Sequence, residues 1–305
     1  MSTARLRETI VEILSEAQSD SPEVQQKALQ TLVSITKVSP QNRTLLAQTN
    51  GAISILLKLS KSLSPIIETL SLTILFNLSL NPDLKLSLAD METIDHLNSI
   101  IISPTSPESS KLASSLICSL AMLDKNKAKF GVGGTIPLLI NSVSGRTRCA
   151  AAHHLLSSLA ELVQFHGNCT VAVRAAAVPV LIQVIKSADG EDLAGTSLAV
   201  LGLLARFDEG LNALKNTGQV VNSMVDVLKG RCMLSKEGAA EILLRLFDES
   251  EGCLRDALRI PEFLNLLADI SVRGSAKARE KAGLLLKKTM EANIDPYSDE
   301  TAMFF

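Results

Sequence analysis

The residues best suited to metal binding lie between positions 149 and 169 of the 305-residue chain. Cys149 and His153 are four residues apart, which would place both side chains on one face of a helix, and His166 and Cys169 follow closely. Thiolate and imidazole groups of this kind could hold zinc. Cysteine-rich zinc sites usually contain Cys-x-x-Cys pairs, however, and none of the five cysteines has that spacing. We therefore predict no metal site and five free thiols.

The sequence also lacks the motifs that usually carry covalent catalysis or phosphate binding. A nucleophilic serine or cysteine needs a strained turn or a cleft, and no Gly-x-Ser-x-Gly turn or phosphate-binding glycine loop is present. The glycines at 131–134 are better explained as a break between two helices. We therefore predict that the chain is not an enzyme and uses no cofactor.

The helix break lies in the segment 131–143, which defines a repeated unit. Gly133 and Gly134 can adopt the left-handed conformation that ends a helix, and Pro137 falls in the first turn of the next one. Four apolar residues then follow at i, i+3, i+4 and i+7, beginning with Ile136. This spacing places them on one helix face, which must be buried against a neighbour.

Equivalent apolar anchors recur about every 42 residues along the chain. They are Ile10, Ile53, Ile94, Ile136, Val178, Val220 and Phe263. Repetition at this period is typical of armadillo and HEAT arrays, in which each unit packs only against its neighbours. We predict one solenoid domain over residues 1–290, without strands, and a flexible acidic tail over 291–305.

Two segments allow local predictions about the third helix of a unit. Ser21, Pro22 and Glu23 supply a cap, a first-turn proline and an acidic residue, so a helix is predicted to run to about Val38. Residues 70–79 alternate like a strand, but their place in the array predicts a helix.

The composition excludes several classes of protein. The chain is 46% hydrophobic but only 3% aromatic, and its net charge is −2, so it lacks the basic character of a nucleic-acid-binding protein. No apolar run reaches about 18 residues, and the first residues do not resemble a signal peptide. We predict a soluble protein of the cytoplasm or the nucleus, a monomer that neither binds nucleic acid nor inserts into a membrane.

Two segments resemble the armadillo repeats of plant U-box/armadillo proteins. They read Asp-Lys-Asn-Lys-Ala-Lys-Phe-Gly-Val-Gly-Gly-Thr-Ile-Pro-Leu-Leu from Asp124 and Val-Arg-Ala-Ala-Ala-Val-Pro-Val-Leu from Val173. The resemblance covers residues 10–288 and favours armadillo over HEAT repeats. It implies a right-handed armadillo-repeat α-solenoid of about seven three-helix units. Too few residues precede Ile10 to form a U-box, so we expect the binding half of such a ligase without the half that carries its activity.

The resemblance also implies where a partner binds, because the third helices of armadillo proteins line a concave groove. Proteins of this kind that bind basic nuclear-localisation peptides use a ladder of Trp and Asn in that groove, and only Asn77 matches the ladder here. An importin-like function is therefore disfavoured. The predicted groove residues are Ser34, Asn77, Ser119, His154, Ser158, Glu241, Arg245 and Lys287.

Cations are concentrated near the end of the array and at the start of one third helix. The predicted basic edge consists of Arg146, Arg148, Lys236, Arg279 and Lys281. One interpretation is a solvated face that caps the last repeat. The other is a binding site for an acidic or phosphorylated protein segment, with which the acidic tail would compete.

Two functions are compatible with these features. We favour a non-enzymatic scaffold that binds a protein partner in the groove of third helices. The alternative is a substrate-recognition component associated with ubiquitin ligation, either as a relative of a U-box ligase or as a truncated form of one.

Overall fold

A computed structural model of the chain describes residues 3–144, 151–187 and 191–294. These residues form α-helices joined by short connections and contain no strand, which confirms the predicted all-α class. The contacts group the helices into two compact units, Met1–Ala175 and Ala176–Phe305. Arg146, Arg148, Cys149 and the tail from residue 295 lie outside the described residues.

Unit 1 contains the first four third helices of the array. In each complete repeat a short first helix and a second helix precede a third helix that packs on its neighbours. Its helices are α1 (Thr3–Glu16), α2 (Pro22–Val38), α3 (Pro40–Gln48), α4 (Ala52–Leu59), α5 (Pro65–Ser79), α6 (Pro82–Leu88), α7 (Met91–Ile102), α8 (Pro107–Ala121), α9 (Asp124–Val132), α10 (Thr135–Ser144), α11 (Ala152–Leu162) and α12 (His166–Arg174).

Unit 2 continues the same order of helices. Its helices are α13 (Ala177–Lys186), α14 (Glu191–Leu204), α15 (Asp208–Lys215), α16 (Val220–Lys229), α17 (Met233–Glu249), α18 (Glu251–Leu258), α19 (Phe263–Arg273) and α20 (Ala276–Ile294). The third helices are therefore α2, α5, α8 and α11 in unit 1, and α14, α17 and α20 in unit 2. The last of them continues past Met290, where the sequence predicts its end, to Ile294.

The helix starts follow the local sequence. The Ser21 hydroxyl accepts from the Val24 amide at 3.5 Å, and Pro22 is the first residue of α2, which ends at Val38 as predicted. Residues 70–79 are helical and belong to α5, so that prediction is also confirmed. Buried contacts on several sides explain why their pattern resembles an alternating strand.

The break between first and second helices uses a left-handed residue in four repeats. Gly51 and Gly134 have φ of 73°, and Ala176 and Gln219 have φ of 60° and 64°. Of the two adjacent glycines that can adopt this conformation, Gly134 does so, whereas Gly133 has φ of −71°. The break between α6 and α7 contains no glycine, and there the Asp90 carboxylate caps α7 by accepting from the Thr93 amide at 2.7 Å.

A row of buried leucines fixes the register of the third helices. Each leucine lies within three residues of the C-terminal end of its third helix, is 0% exposed, and is 42 residues from the next. The row is Leu78, Leu120, Leu162, Leu204 and Leu246. In unit 1, α5 packs between α2 and α8, and α8 packs between α5 and α11. In unit 2, α17 packs between α14 and α20.

Candidate protein-binding surface

The third helices bury one side against the array and leave the other side accessible. The leucine row provides the reference for naming equivalent positions on that accessible side. The position just before each leucine holds Asn77, Ser119, Glu161, Leu203 and Arg245. The predicted groove residues agree with this register at Asn77, Ser119 and Arg245, but they include Ser158 in place of Glu161.

The ladder is wrong in the fourth repeat because the sequence offers no unique anchor there. Ser158 lies three residues before Glu161 in α11, so the prediction is displaced by nearly one turn. Ser158 is 0% exposed, and its hydroxyl donates to Ser114 O at 2.6 Å. It therefore cannot contact a partner from the groove. The ladder is also displaced by one residue in the first repeat, where the exposed Ser34 was chosen instead of Ile35.

Asn77 and Ser119 are predicted groove residues, but their side chains bind neighbouring repeats of the array. Each is 6% exposed. The Asn77 amide donates to Thr36 Oγ1 at 3.0 Å, which joins α5 to α2. Ser119 Oγ accepts from Ser79 Oγ at 2.8 Å and from Lys85 Nζ at 3.0 Å. These side chains hold neighbouring repeats together and leave little surface for a partner.

His154 lies in the third helix α11 and contacts the neighbouring third helix α8. Its Nδ1 is 3.1 Å from Ser115 Oγ of α8, and the side chain is partly exposed. Burial lowers the pKa of His154, and the neighbouring His153 lowers it further. The imidazole is therefore neutral near pH 7 and presents a polar, uncharged group to the groove.

The accessible side of unit 1 carries a row of apolar residues that the sequence analysis missed. Val38, Leu80 and Met122 are 75%, 47% and 65% exposed, and each lies at or next to the C-terminal end of a third helix. They are 42 residues apart, so they occupy one position of the repeat. This position does not belong to the buried face, and only its register relative to the leucine row could have identified it.

The accessible side of unit 2 is charged instead. The Glu241 carboxylate pairs with Arg245 Nε at 3.1 Å and with Lys281 Nζ at 3.2 Å. Burial raises the pKa of Glu241, but the two cations outweigh this effect, so the pKa lies below its ordinary value. Lys288 pairs with Asp248, and Lys287 lies 3.8 Å from Glu291.

These ion pairs include one cation of the predicted basic edge. Lys281 is ion-paired, whereas Lys236 and Arg279 make no ion pair with any residue in the described ranges. Arg279 is exposed and Lys236 is partly exposed. Arg146 and Arg148 lie outside the described residues. The cations of this edge are therefore only partly available to a partner.

The described residues contain no group of three or more His, Cys, Asp and Glu side chains that could hold a metal ion. Within them, Cys118, Cys169, Cys232 and Cys253 form no disulfide. No single helix of the described ranges is both long and apolar enough to cross a bilayer, and only α12 and α13 taken together meet that test.

Relatives of the chain are found among plant proteins. U-box domain-containing protein 1 of Medicago truncatula is 32% identical over 116 residues, which cover 38% of this chain and 17% of that protein. U-box domain-containing protein 8 of Arabidopsis thaliana is 28% identical over 219 residues, which cover 70% of this chain and 55% of that protein. The chain thus spans at most about half the length of these relatives.

Several solved structures with the same fold are engineered or designed proteins. One engineered protein has a TM-score of 0.79 at 18% identity, covering 92% of this chain and 68% of its own. Computationally designed armadillo repeat proteins for modular peptide recognition have a TM-score of 0.69 at 17% identity, covering 77% of this chain and 98% of theirs. At these identities the likeness shows the fold alone, which is the predicted armadillo-repeat fold.

The decisive comparison is with protein families. A family model described as the plant U-box protein ARM repeat region matches residues 9–298, which is nearly the whole chain. The repeat period, the left-handed breaks and the stacked third helices are the structural counterpart of that match. The chain therefore belongs to the armadillo-repeat family of plant U-box proteins.

Proposed function

We propose that the chain is a non-enzymatic scaffold that binds a protein partner along its third helices. The observation that carries this proposal is the apolar row Val38, Leu80 and Met122, because exposed apolar residues at one repeat position suit a partner that extends across repeats. The structurally similar designed proteins were made for peptide recognition, which supports a protein ligand for this fold. We place the protein in the cytoplasm or nucleus, as a monomer.

The charged side of unit 2 gives the partner a second feature. Lys236 and Arg279 are available to an acidic or phosphorylated segment, and the pairs around Glu241 can exchange one carboxylate for another. We expect binding to weaken between about 50 and 300 mM salt because these contacts are exposed. The double charge reversal Arg245→Glu with Lys287→Glu should weaken binding without unfolding the array. Deletion of residues 292–305 should strengthen binding.

Site-specific photo-crosslinking tests the location of binding. A photoreactive amino acid is introduced at Leu80 or Met122 of the apolar row or, as a control, at Leu86 on the first helix α6 of the next repeat. Both leucines are 47% exposed, so the two variants differ in location rather than in accessibility. Each folded variant is irradiated in an extract of plant tissue, and the crosslinked proteins are identified by mass spectrometry.

We expect one protein to crosslink reproducibly at Leu80 and at Met122, but not at Leu86. Competition by the same purified protein without the photoreactive group should abolish this product. Crosslinking of the same partner with equal yield at Leu86 would contradict binding along the third helices. A partner whose capture ignores salt and the two charge reversals would leave the cations of unit 2 with a capping role only.

A role in substrate recognition for ubiquitin ligation is the second candidate. The family match and the two plant relatives named as U-box proteins favour it. In this case the captured partner would be a ubiquitinated substrate or a separate ligase. The purified 305-residue chain, given ubiquitin with activating and conjugating enzymes, should make no chains by itself. Robust chain formation would contradict the non-enzymatic assignment.

A further inference from the structure

Unit 1 contains an open cavity of about 650 Å³ that is separate from the apolar row. It is bounded by the C-terminal end of α4, the start of α5, the helix α7 and the loop that leads into α8. Three carboxylates line it, Glu68, Glu92 and Asp95, and Lys61 is the only Lys or Arg in the lining. The cavity is therefore acidic.

Glu68 is the least exposed of these acids, and only one of its two carboxylate oxygens accepts hydrogen bonds from the described residues. The residue is 4% exposed, and it lies in the first turn of α5, where the helix dipole favours a carboxylate. Its Oε2 accepts hydrogen bonds from Thr105 and Ser109. Its Oε1 accepts none within the described part of the chain. Oε1 is not fully enclosed, so it can be reached from the cavity and can accept a hydrogen bond from a donor that enters it.

The rim of the cavity already holds a cation. The Lys61 ammonium lies 3.1 Å from Glu92, and the two side chains are 47% and 78% exposed. An ion pair this exposed is weak, so another cation can replace Lys61 at little cost. His96, whose Nε2 is 2.8 Å from Ser60 Oγ, adds no charge near pH 7, because burial and the nearby Lys61 lower its pKa.

We propose that this cavity binds an arginine side chain of the partner protein. A planar guanidinium has five donors and can bond to Glu68 Oε1 and to a rim carboxylate at the same time, which a lysine ammonium does less well. Leu63, which also lines the cavity and is 93% exposed, can cover the aliphatic part of the arginine. The proposal adds a second contact to the proposed scaffold function and rests on it for the identity of the ligand as a protein.

A titration of the folded chain with a small probe tests the cavity without the partner. The probe is Nα-acetyl-arginine amide, and its control is Nα-acetyl-citrulline amide, which has the same length but no charge. Two-dimensional NMR should show saturable shift changes around residues 60–63, 68 and 92–96 with the arginine probe only. Equal changes with the citrulline probe would overturn the proposal.

Substitutions of opposite expected sign sharpen this test. Glu92→Gln with Asp95→Asn should weaken the arginine probe about three- to tenfold, because two exposed carboxylates are lost. Lys61→Gln should strengthen it, because the competing cation is removed, and partial unfolding cannot produce such a gain. The control Glu8→Gln with Glu12→Gln removes two exposed acids from α1 of the same unit and should change nothing.

The proposal is wrong if the control pair weakens the probe as much as the rim pair does, or if Lys61→Gln weakens it. Either result is independent of the crosslinking experiment, which reports on the third helices. A failed titration with successful crosslinking at Leu80 would remove the arginine site and leave the scaffold function intact.

Discussion

The two units join their repeats in different ways, although they share one repeat period. In unit 1 three first helices carry a cation at the same position, and each cation reaches a polar group near the end of a third helix. The contacts are Arg43 Nη1 to Thr36 O (3.3 Å), Lys85 Nζ to Ser119 Oγ (3.0 Å) and Lys127 Nζ to Glu161 Oε1 (3.0 Å). The same position holds Cys169 in α12, the last first helix of unit 1, and Leu211 and Cys253 in unit 2, none of which carries a positive charge.

The position before the cation shows the same contrast. Asn126 donates to Lys85 O at 2.9 Å and Leu120 O at 3.0 Å, and Asn168 makes the equivalent pair of bonds. In unit 2 the equivalent residues are Gly210 and Gly252, and Gly210 packs directly on Leu204 O. At this position unit 1 therefore uses buried hydrogen bonds at Asn126 and Asn168, whereas unit 2 uses close backbone packing at Gly210 and adds ion pairs between its third helices.

The largest effect is expected for Gly210→Ala in unit 2. A Cβ at this position would lie 2.1 Å from Leu204 O, which belongs to the backbone and cannot move aside cheaply. We expect the free energy of unfolding to fall by about 3 kcal/mol. Urea denaturation followed by circular dichroism measures the change.

Gly202→Ala is the matched control for Gly210→Ala. Gly202 lies in α14, and a Cβ there meets nothing within 4 Å. Because alanine favours a helix over glycine by about 0.5–1 kcal/mol, this variant should be as stable as the parent or more so. Equal destabilisation of the two variants would disprove the role of backbone packing at Gly210.

The second effect in size is expected for Asn126→Ala in unit 1. The substitution leaves the carbonyls of Lys85 and Leu120 without their buried donor, so we expect a loss of about 2 kcal/mol. Hydrogen exchange of the amides in α6, α8 and α9 should locate the loss. Asn141→Ala, at an exposed position of α10, is the control and should stay within about 0.5 kcal/mol of the parent.

Sequence reasoning predicted the features that depend on local chemistry. The cap at Ser21 and the break at Gly134 follow from residue type, because hydroxyl capping and positive φ are local preferences. It did not choose between Gly133 and Gly134, which are equivalent by type, and it failed at Ser158, where neighbouring helix turns offer similar residues. Only tertiary contacts, such as the buried leucine row, select between such alternatives.

The candidate sites were harder to predict than the fold. The ion pairs of Glu241 join α17 to α20, and the acidic cavity joins loops near residues 61 and 105, so both depend on residues about 40 apart. A count of charges along the chain predicts a basic edge near the end of the array. It cannot show that Lys281 is already neutralised by an acid of the preceding repeat.

The two units also differ in the residue that occupies the left-handed position between first and second helices, and this difference leads to the third prediction. Unit 1 uses Gly51 and Gly134 at the left-handed position, whereas unit 2 uses Ala176 and Gln219. The left-handed conformation costs a residue with a Cβ roughly 1–2 kcal/mol. Glycine avoids this strain but loses more backbone entropy on folding, so its net advantage is smaller. We expect Gln219→Gly to raise the free energy of unfolding by about 0.5–1 kcal/mol.

The reverse substitution in unit 1 checks this explanation. Gly51→Ala should lower the stability, although its Cβ would make only an ordinary contact with Ile55 at 3.8 Å, because the strain lies in the backbone. Thermal unfolding of both variants under the same conditions provides the comparison. If Gln219→Gly lowers the melting temperature, the left-handed residue is not a source of strain.

The smallest effect is expected from the ion pairs of Glu241 in unit 2. Because Lys281 and Arg245 hold the folded-state pKa of this carboxyl below its ordinary value, the unfolded chain binds the proton more tightly. The pairs therefore stabilise the fold above about pH 4.5, and this contribution is lost as the pH falls through the folded-state pKa.

Both acid and cations are partly exposed, so we expect Glu241→Gln to cost less than about 0.5 kcal/mol at pH 7. The difference between parent and variant, measured by urea denaturation, should shrink as the pH falls below about 4.5 and also in about 1 M salt at pH 7. A difference that persisted unchanged at low pH would mean that Glu241 stabilises α17 and α20 by packing rather than by charge, and unit 2 would then resemble unit 1 in depending on buried contacts.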